Sequence, residues 1–103
     1  MALSISRADV AGTVTVTVAG EVDLLTNGEL EREIIDRTEA ATLVVVDLTA
    51  VTFLDSVGIS TLLKGRRAAQ GRGQQYRVVG PQGHIREILE LTGVWAHLSG
   101  GDQ

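Results

Sequence analysis

Polar and apolar side chains alternate strictly over residues 13–18, where threonine and valine take turns. This period of two is typical of a strand that buries one face. Leu3, Ile5 and Val10 continue a weaker alternation upstream of this segment. The pattern therefore predicts an antiparallel hairpin over the first 19 residues, in which the pairing ends at Gly20.

A helical pattern follows the hairpin. Thr26 and Glu29 fit a capping box, so we predict a helix that begins there. Leu30 and Ile34 then fall on one face of this helix, which we expect to end near Ala40.

An apolar run without alternation over residues 43–48 favours a central strand that is covered on both faces. Because this run follows a strand and a helix, it predicts parallel pairing in a βαβ unit. Downstream, the pattern predicts a helix from Ser56 to about Gly71 or Gly73, a strand over residues 76–80, a helix between Pro81 and Gly93, and a final strand over residues 94–98.

These elements together predict an α/β fold with a mixed sheet. The antiparallel hairpin comes first, parallel βαβ units follow it, and the helices pack mainly on one face. The length of 103 residues fits one domain over the whole chain, with residues 99–103 as a flexible tail because they lack apolar side chains. Hydrophobic residues make up 44% of the chain, which excludes intrinsic disorder for most of it.

The net charge, the absence of cysteine and the length of the apolar runs narrow the possible functions. A net charge of -4 opposes binding to phosphate backbones and to anionic lipid. The chain has no cysteine, which excludes disulfides and thiolate metal sites. The longest unbroken apolar run, residues 43–46, is too short to cross a bilayer. We therefore expect a cytoplasmic protein without direct contact to nucleic acid or membrane.

The segment of residues 55–58 follows a predicted strand and opens a predicted helix. Ser56 is well placed to be the helix N-cap, and the sequence pattern alone favours that structural role. The same position suits a phosphoryl group, because first-turn amides and the helix dipole favour anions. The carboxylate of Asp55 opposes this added negative charge.

The sequence predicts no catalytic, cofactor or metal site. A triad of Ser56, His84 and Asp23 is conceivable, but Leu54 stands where the GxSxG motif needs its first glycine. The Gly71-x-Gly73 segment lacks the third glycine of a dinucleotide fingerprint and precedes a strand. Two histidines with scattered carboxylates do not form a metal-binding pattern.

Three stretches of the sequence stand in a characteristic order: residues 20–26 (GEVDLLT), residues 47–58 (DLTAVTFLDSVG) and residues 85–93 (IREILELTG). Together they resemble the sulfate transporter and anti-sigma factor antagonist (STAS) family, in particular the stand-alone bacterial anti-sigma factor antagonists. The middle stretch is the most specific, and the resemblance covers about residues 3–98.

The resemblance implies regulation by binding. It implies that the unmodified protein binds an anti-sigma factor, a serine kinase with a histidine-kinase-like ATPase fold, and so frees a sigma factor. It also implies that this kinase phosphorylates Ser56 and that a PP2C-type phosphatase reverses the modification. Asp23 and Asp55 then lie beside Ser56, and Val57, Gly58 and the exposed side of the second helix complete the partner surface. Asp23 could instead cap the first helix, and Asp55 could form a local turn.

Two other functions stay open at this point. STAS proteins also serve as small subunits of lipid-transporting ABC systems or as parts of stress-signalling complexes, and a small hydrolase that uses Ser56 is a rival from another class. Members of the family commonly continue into a further helix, whereas this sequence ends at Gln103.

Overall fold

The computed structural model describes residues 3–100 of the chain, so most of the predicted tail, residues 101–103, lies outside the described range. The elements in chain order are β1 (Leu3–Val10), β2 (Thr13–Val22), α1 (Asn27–Glu31) with a π-helical continuation (Arg32–Asp36), β3 (Leu43–Leu54), α2 (Ser56–Arg72), β4 (Gln75–Val79), α3 (Gly83–Leu91) and α4 (Trp95–Leu98). The strands form one sheet in the order β1-β2-β3-β4. β1 pairs antiparallel with β2, and the other two pairs are parallel. The predicted α/β fold with a mixed sheet is confirmed.

The N-terminal hairpin follows from the alternation of threonine and valine in β2. Val14, Val16 and Val18 are buried, while the threonines between them are half-buried or exposed. Gly12 has a φ of 88° in the tight turn between the strands, a conformation that suits the twist of a hairpin. Within residues 3–100, the pairing of β1 with β2 runs from Val10 and Thr13 at the turn to Leu3 and Gly20.

β3 is an interior strand, but the prediction that both of its faces are covered is wrong. Val44, Val46 and Leu48 are buried, whereas the residues that alternate with them, Leu43, Val45 and Asp47, are only half-buried. The buried residues belong to the core that the helices cover. Because the helices pack mainly on one face of the sheet, the alternate side chains of this aliphatic run stay partly open to solvent.

No helix within residues 3–100 is long and apolar enough to cross a membrane.

The predicted capping box of the first helix is wrong. Thr26 is the N-cap of α1, but its side chain makes no capping hydrogen bond. Its hydroxyl instead donates to the carbonyl of Glu21 at 2.9 Å. The hydroxyl therefore closes the loop before the helix, and it is not available to the first-turn amides.

The first helix also ends earlier than predicted, at Asp36 and not near Ala40. Leu30 and Ile34 are buried on one face, as expected. The hydroxyl of Thr38 donates to the carbonyl of Ile34 at 2.9 Å. The side chain thus occupies an acceptor that a further helical turn would use, which favours termination there.

The second helix begins at Ser56 and is ended by Gly73, whose φ of 73° is left-handed. Gly65 of this helix allows β4 to pack closely, because a Cβ at this position would lie 2.7 Å from the hydroxyl of Tyr76. That hydroxyl donates to the carbonyl of Leu62 at 2.8 Å. Burial raises the pKa of the Tyr76 hydroxyl well above its ordinary value, so the side chain remains a neutral donor.

The segment predicted as the final strand is helical. α4 is a single turn that follows Gly93, whose φ is 76°. Val94, Trp95 and Leu98 all pack on the core. In a strand, the neighbours Val94 and Trp95 would point to opposite faces, whereas a helical turn brings all three to one side.

Candidate functional site

The carboxyl ends of the parallel strands β2 and β3 meet at one edge of the sheet. Val22 pairs with Leu54, and the amide of Asp55 donates to the carbonyl of Val22 at 3.3 Å. The loop after β2 begins with Asp23, and the helix after β3 begins with Ser56. The structure therefore brings two predicted site segments, more than 30 residues apart in the chain, to the same edge.

Asp55, and not Ser56, caps the second helix. The backbone of Asp55 is extended, and its Oδ1 accepts a hydrogen bond from the amide of Gly58 at 3.0 Å. Ser56 is the first helical residue. The prediction that Ser56 is the N-cap is wrong, because the carboxylate one position earlier takes the first-turn amide that the hydroxyl would have bound.

Ser56 is exposed, and its hydroxyl makes no hydrogen bond to any residue within the described range 3–100. Val57 is half-buried. Gly58 is buried, and a Cβ built on it would lie 2.5 Å from Cδ1 of Leu54 and 2.8 Å from Cγ1 of Val22. The glycine therefore lets the first turn of α2 lie directly on the ends of β2 and β3, with Ser56 on the solvent side.

Asp23 organises the loop of residues 23–26. Its Oδ1 accepts from the amides of Leu25 at 3.0 Å and Thr26 at 3.1 Å. Its own amide donates to the hydroxyl of Thr26 at 3.0 Å. These bonds form an Asx turn, so Asp23 shapes the loop and does not cap the first helix.

A hydrogen bond that the sequence did not reveal ties the first residue of α1, directly after this loop, to the second helix. The hydroxyl of Thr61 donates to Oδ1 of Asn27 at 2.6 Å. Thr61 is buried although it is polar, and Asn27 is half-buried. A threonine among apolar helix positions is the one sequence signal of this bond, and it does not identify the partner.

The edge that carries Ser56 is acidic. Glu21, Asp23 and Asp55 place three carboxylates at the edge that carries Ser56. Among residues 3–100, no group of three or more histidine, aspartate or glutamate side chains could hold a metal ion. His84 is exposed near the start of α3, and within the same range no hydrogen bond joins any two members of the triad considered above. The triad is therefore not assembled.

A groove of about 510 Å³ lies at the opposite end of the parallel strands. Leu43 and Gln75, the first residues of β3 and β4, contribute to its lining, together with Arg66 and Arg77. The predicted site residues are not part of this lining.

The assignment of the cap predicts a clear difference in stability. We expect Asp55→Ala to lower the free energy of unfolding by about 1 kcal/mol, because the amide of Gly58 loses its acceptor. Asp55→Asn keeps an acceptor and should stay within about 0.5 kcal/mol of wild type, as should Ser56→Ala. Urea denaturation followed by circular dichroism measures these values. A loss at Ser56→Ala as large as that at Asp55→Ala would contradict the assignment.

Comparison with known proteins decides the family. The family model described as STAS domain matches residues 5–98. The chain belongs to the STAS domain family. This confirms the resemblance that the three sequence stretches indicated, and the residues 20–26 and 47–58 of this STAS domain are the segments that meet at the edge with Ser56.

Similar proteins are named as regulators. The anti-sigma-F factor antagonist RsfB of Mycobacterium tuberculosis is 31% identical over 93 residues, which cover 89% of this STAS domain and 75% of RsfB. A crystal structure of an anti-sigma factor antagonist from Mycobacterium paratuberculosis matches with a TM-score of 0.84 at 30% identity, covering 94% of this chain and 83% of that one. The phosphorylated form of the Bacillus cell fate determinant SpoIIAA shares the fold, with a TM-score of 0.72 at 18% identity over 92% of this chain and 88% of that one.

Proposed function

We propose that this STAS domain is an anti-sigma factor antagonist of the cytoplasm. Its unmodified form binds an anti-sigma factor, a serine kinase with a histidine-kinase-like ATPase fold, and thereby frees a sigma factor. Phosphorylation of Ser56 by the same partner breaks the complex, and a PP2C-type phosphatase restores it. The protein acts by binding and performs no catalysis of its own.

The observation that carries this proposal is that the side chain of Asp55 caps the helix, whereas the side chain of Ser56 is exposed. Because Asp55 supplies the helix cap, the hydroxyl of Ser56 is not needed for that hydrogen bond. Within residues 3–100 this hydroxyl makes no hydrogen bond, and it faces solvent. An exposed hydroxyl at a fixed position is accessible to a kinase. The names of RsfB and of the M. paratuberculosis protein support antagonism of an anti-sigma factor, and the phosphorylated form of SpoIIAA supports regulation by phosphate.

The proposed partner surface surrounds this hydroxyl. Asp55 directly precedes Ser56, Asp23 lies at the same edge of the sheet, and Val57 adds apolar area. Gly58 acts through its backbone, since it is buried and holds the first turn of α2 against the sheet. A phosphate adds about -1.5 to -2 charges at pH 7, which this acidic surface and a partner shaped for a hydroxyl both disfavour.

The proposal is tested with wild type and two alanine variants as baits in affinity capture from the native cytosol. Ser56→Ala removes the proposed phosphoacceptor, and Ser60→Ala removes an exposed serine one turn further along the same helix. We expect all three baits to capture a protein with a histidine-kinase-like ATPase fold. Equal capture of an ABC-transporter ATPase in its place would contradict the proposal and favour the transport function.

The captured partner then serves as the kinase in a second step. After incubation with ATP, intact mass and peptide mapping should locate one phosphate on Ser56 in wild type and in Ser60→Ala. Ser56→Ala should stay unmodified. Phosphate on another residue in wild type would show that Ser56 is not the acceptor.

A further inference from the structure

Two leucines beside the proposed phosphorylation site are held out into solvent. Leu24 is 73% exposed and Leu25 is 91% exposed. They follow Asp23 directly, at the edge where β2 and β3 end. Phe53 is 44% exposed and pairs in register with Glu21, so it adds an aromatic side chain near the end of β3.

The loop that carries these leucines is fixed by hydrogen bonds on both sides of them. Upstream, Oδ1 of Asp23 accepts from the amide of Leu25 at 3.0 Å. Downstream, the hydroxyl of Thr26 donates to the carbonyl of Glu21 at 2.9 Å, and the next residue is tied to α2 by the bond from Thr61 to Asn27. The backbone of the two leucines is thus ordered before any partner binds, which removes most of the entropy that a flexible loop would lose on binding.

Exposed leucines on a fixed loop contribute nothing to the core of the protein. Buried against a partner, each would contribute a large part of the binding free energy, since apolar groups gain by leaving water. Their border is acidic: Glu21 and Asp23 precede them in the chain, and Asp55 lies at the same edge. The border therefore favours an occupant that carries basic groups around an apolar depression.

We propose that Leu24 and Leu25 are the apolar anchor through which this STAS domain binds its anti-sigma factor. The matching surface on that partner is an apolar depression with a basic rim. The inference rests on the proposed function and divides the surface into two parts: the leucines supply affinity, and Ser56 controls whether the complex can form. A second copy of this chain is a poorer occupant, because two acidic borders would face each other and each chain has a net charge of -4.

The test compares exposed leucines at two places on the molecule. Leu24→Ser and Leu25→Ser remove the anchor, and Leu91→Ser at the end of α3 is the matched control, since Leu91 is 80% exposed. We expect each anchor variant to weaken binding of the purified anti-sigma factor at least about tenfold, and the control to stay within about twofold of wild type. Isothermal titration calorimetry gives the affinities. Thermal unfolding should be unchanged in all three variants, because none of these side chains is buried.

The outcomes separate this inference from the function on which it rests. Anchor variants that bind like wild type, while Ser56→Asp loses binding, would overturn the anchor and leave the function in place. Anchor variants that lose binding, while Ser56→Asp binds like wild type, would support the anchor and overturn the phosphorylation switch. A wild type that does not bind an anti-sigma factor overturns both. A wild-type dimer that Leu24→Ser and Leu25→Ser dissociate in analytical ultracentrifugation, while Leu91→Ser does not, would assign the leucines to a second copy, which overturns the proposed partner.

Discussion

Replacing Ser56 with aspartate is expected to weaken binding of the anti-sigma factor at least about 100-fold. The variant places a carboxylate at an edge that already carries Asp23 and Asp55, and it presents this charge to a partner surface shaped for a hydroxyl. Burying an unpaired charge in an interface costs several kcal/mol. Phosphoserine carries more charge than aspartate, so phosphorylated wild type should bind still more weakly. Titration calorimetry with the purified partner measures the loss.

Two control variants make this result specific. Ser56→Ala retains a small neutral side chain and should bind within a few fold of wild type. Ser60→Asp adds the same charge to an exposed position one helical turn away, and we expect it to lose clearly less affinity than Ser56→Asp. Equal losses at the two serines would mean that net charge, and not the position of Ser56, governs the interaction.

A clear loss of stability is expected from a substitution at Gly58. A Cβ at this position meets Leu54 at 2.5 Å and Val22 at 2.8 Å, closer than real Cβ atoms lie. We expect Gly58→Ala to lower the free energy of unfolding by about 1 to 2 kcal/mol, because overpacking outweighs the better helix propensity of alanine. The midpoint of thermal unfolding should fall by about 4 to 8 °C per kcal/mol.

Gly71→Ala is the matched control, since Gly71 lies in the same helix and a Cβ there meets nothing within 4 Å. This variant gains helix propensity without a contact, and its stability should rise by up to about 1 kcal/mol. The sequence contains one tryptophan, Trp95, so its fluorescence reports on unfolding in urea without a label. A Gly58→Ala variant as stable as Gly71→Ala would show that the helix can move away from the strands at little cost.

The sequence predicted the strands and their pairing well because strict alternation of polar and apolar residues leaves few choices for the buried face and the register. Threonine and valine in β2 assign one face to the core and the other to solvent, which fixes the register. The run of residues 43–48 was harder, since an all-apolar strand does not show that one of its faces stays partly open. The last segment failed for a similar reason. Five residues that end at Leu98 fit a strand or a helical turn equally well until the position of the core is known.

The errors at the helix starts have one physical cause. Serine, threonine and aspartate compete for the same unpaired amides, and the sequence does not tell which of them is in place. The hydroxyl of Thr26 donates to the carbonyl of Glu21. The carboxylate of Asp55 accepts from the amide of Gly58, a first-turn amide that we had expected Ser56 to bind. The exposure of Leu24 and Leu25 was also beyond the sequence, because two leucines after a strand normally enter the core.

Because Asp55 caps the helix, the backbone of Ser56 is already fixed in the first helical turn when a partner or a kinase meets it. The conformation around it depends on residues from two distant parts of the chain, since the amide of Asp55 donates to the carbonyl of Val22. A short synthetic peptide that spans Ser56 has neither the strand nor the fixed turn. We therefore expect a kinase that modifies this serine to recognise a three-dimensional surface, so that a linear consensus sequence or a peptide array is a poor guide to its substrates.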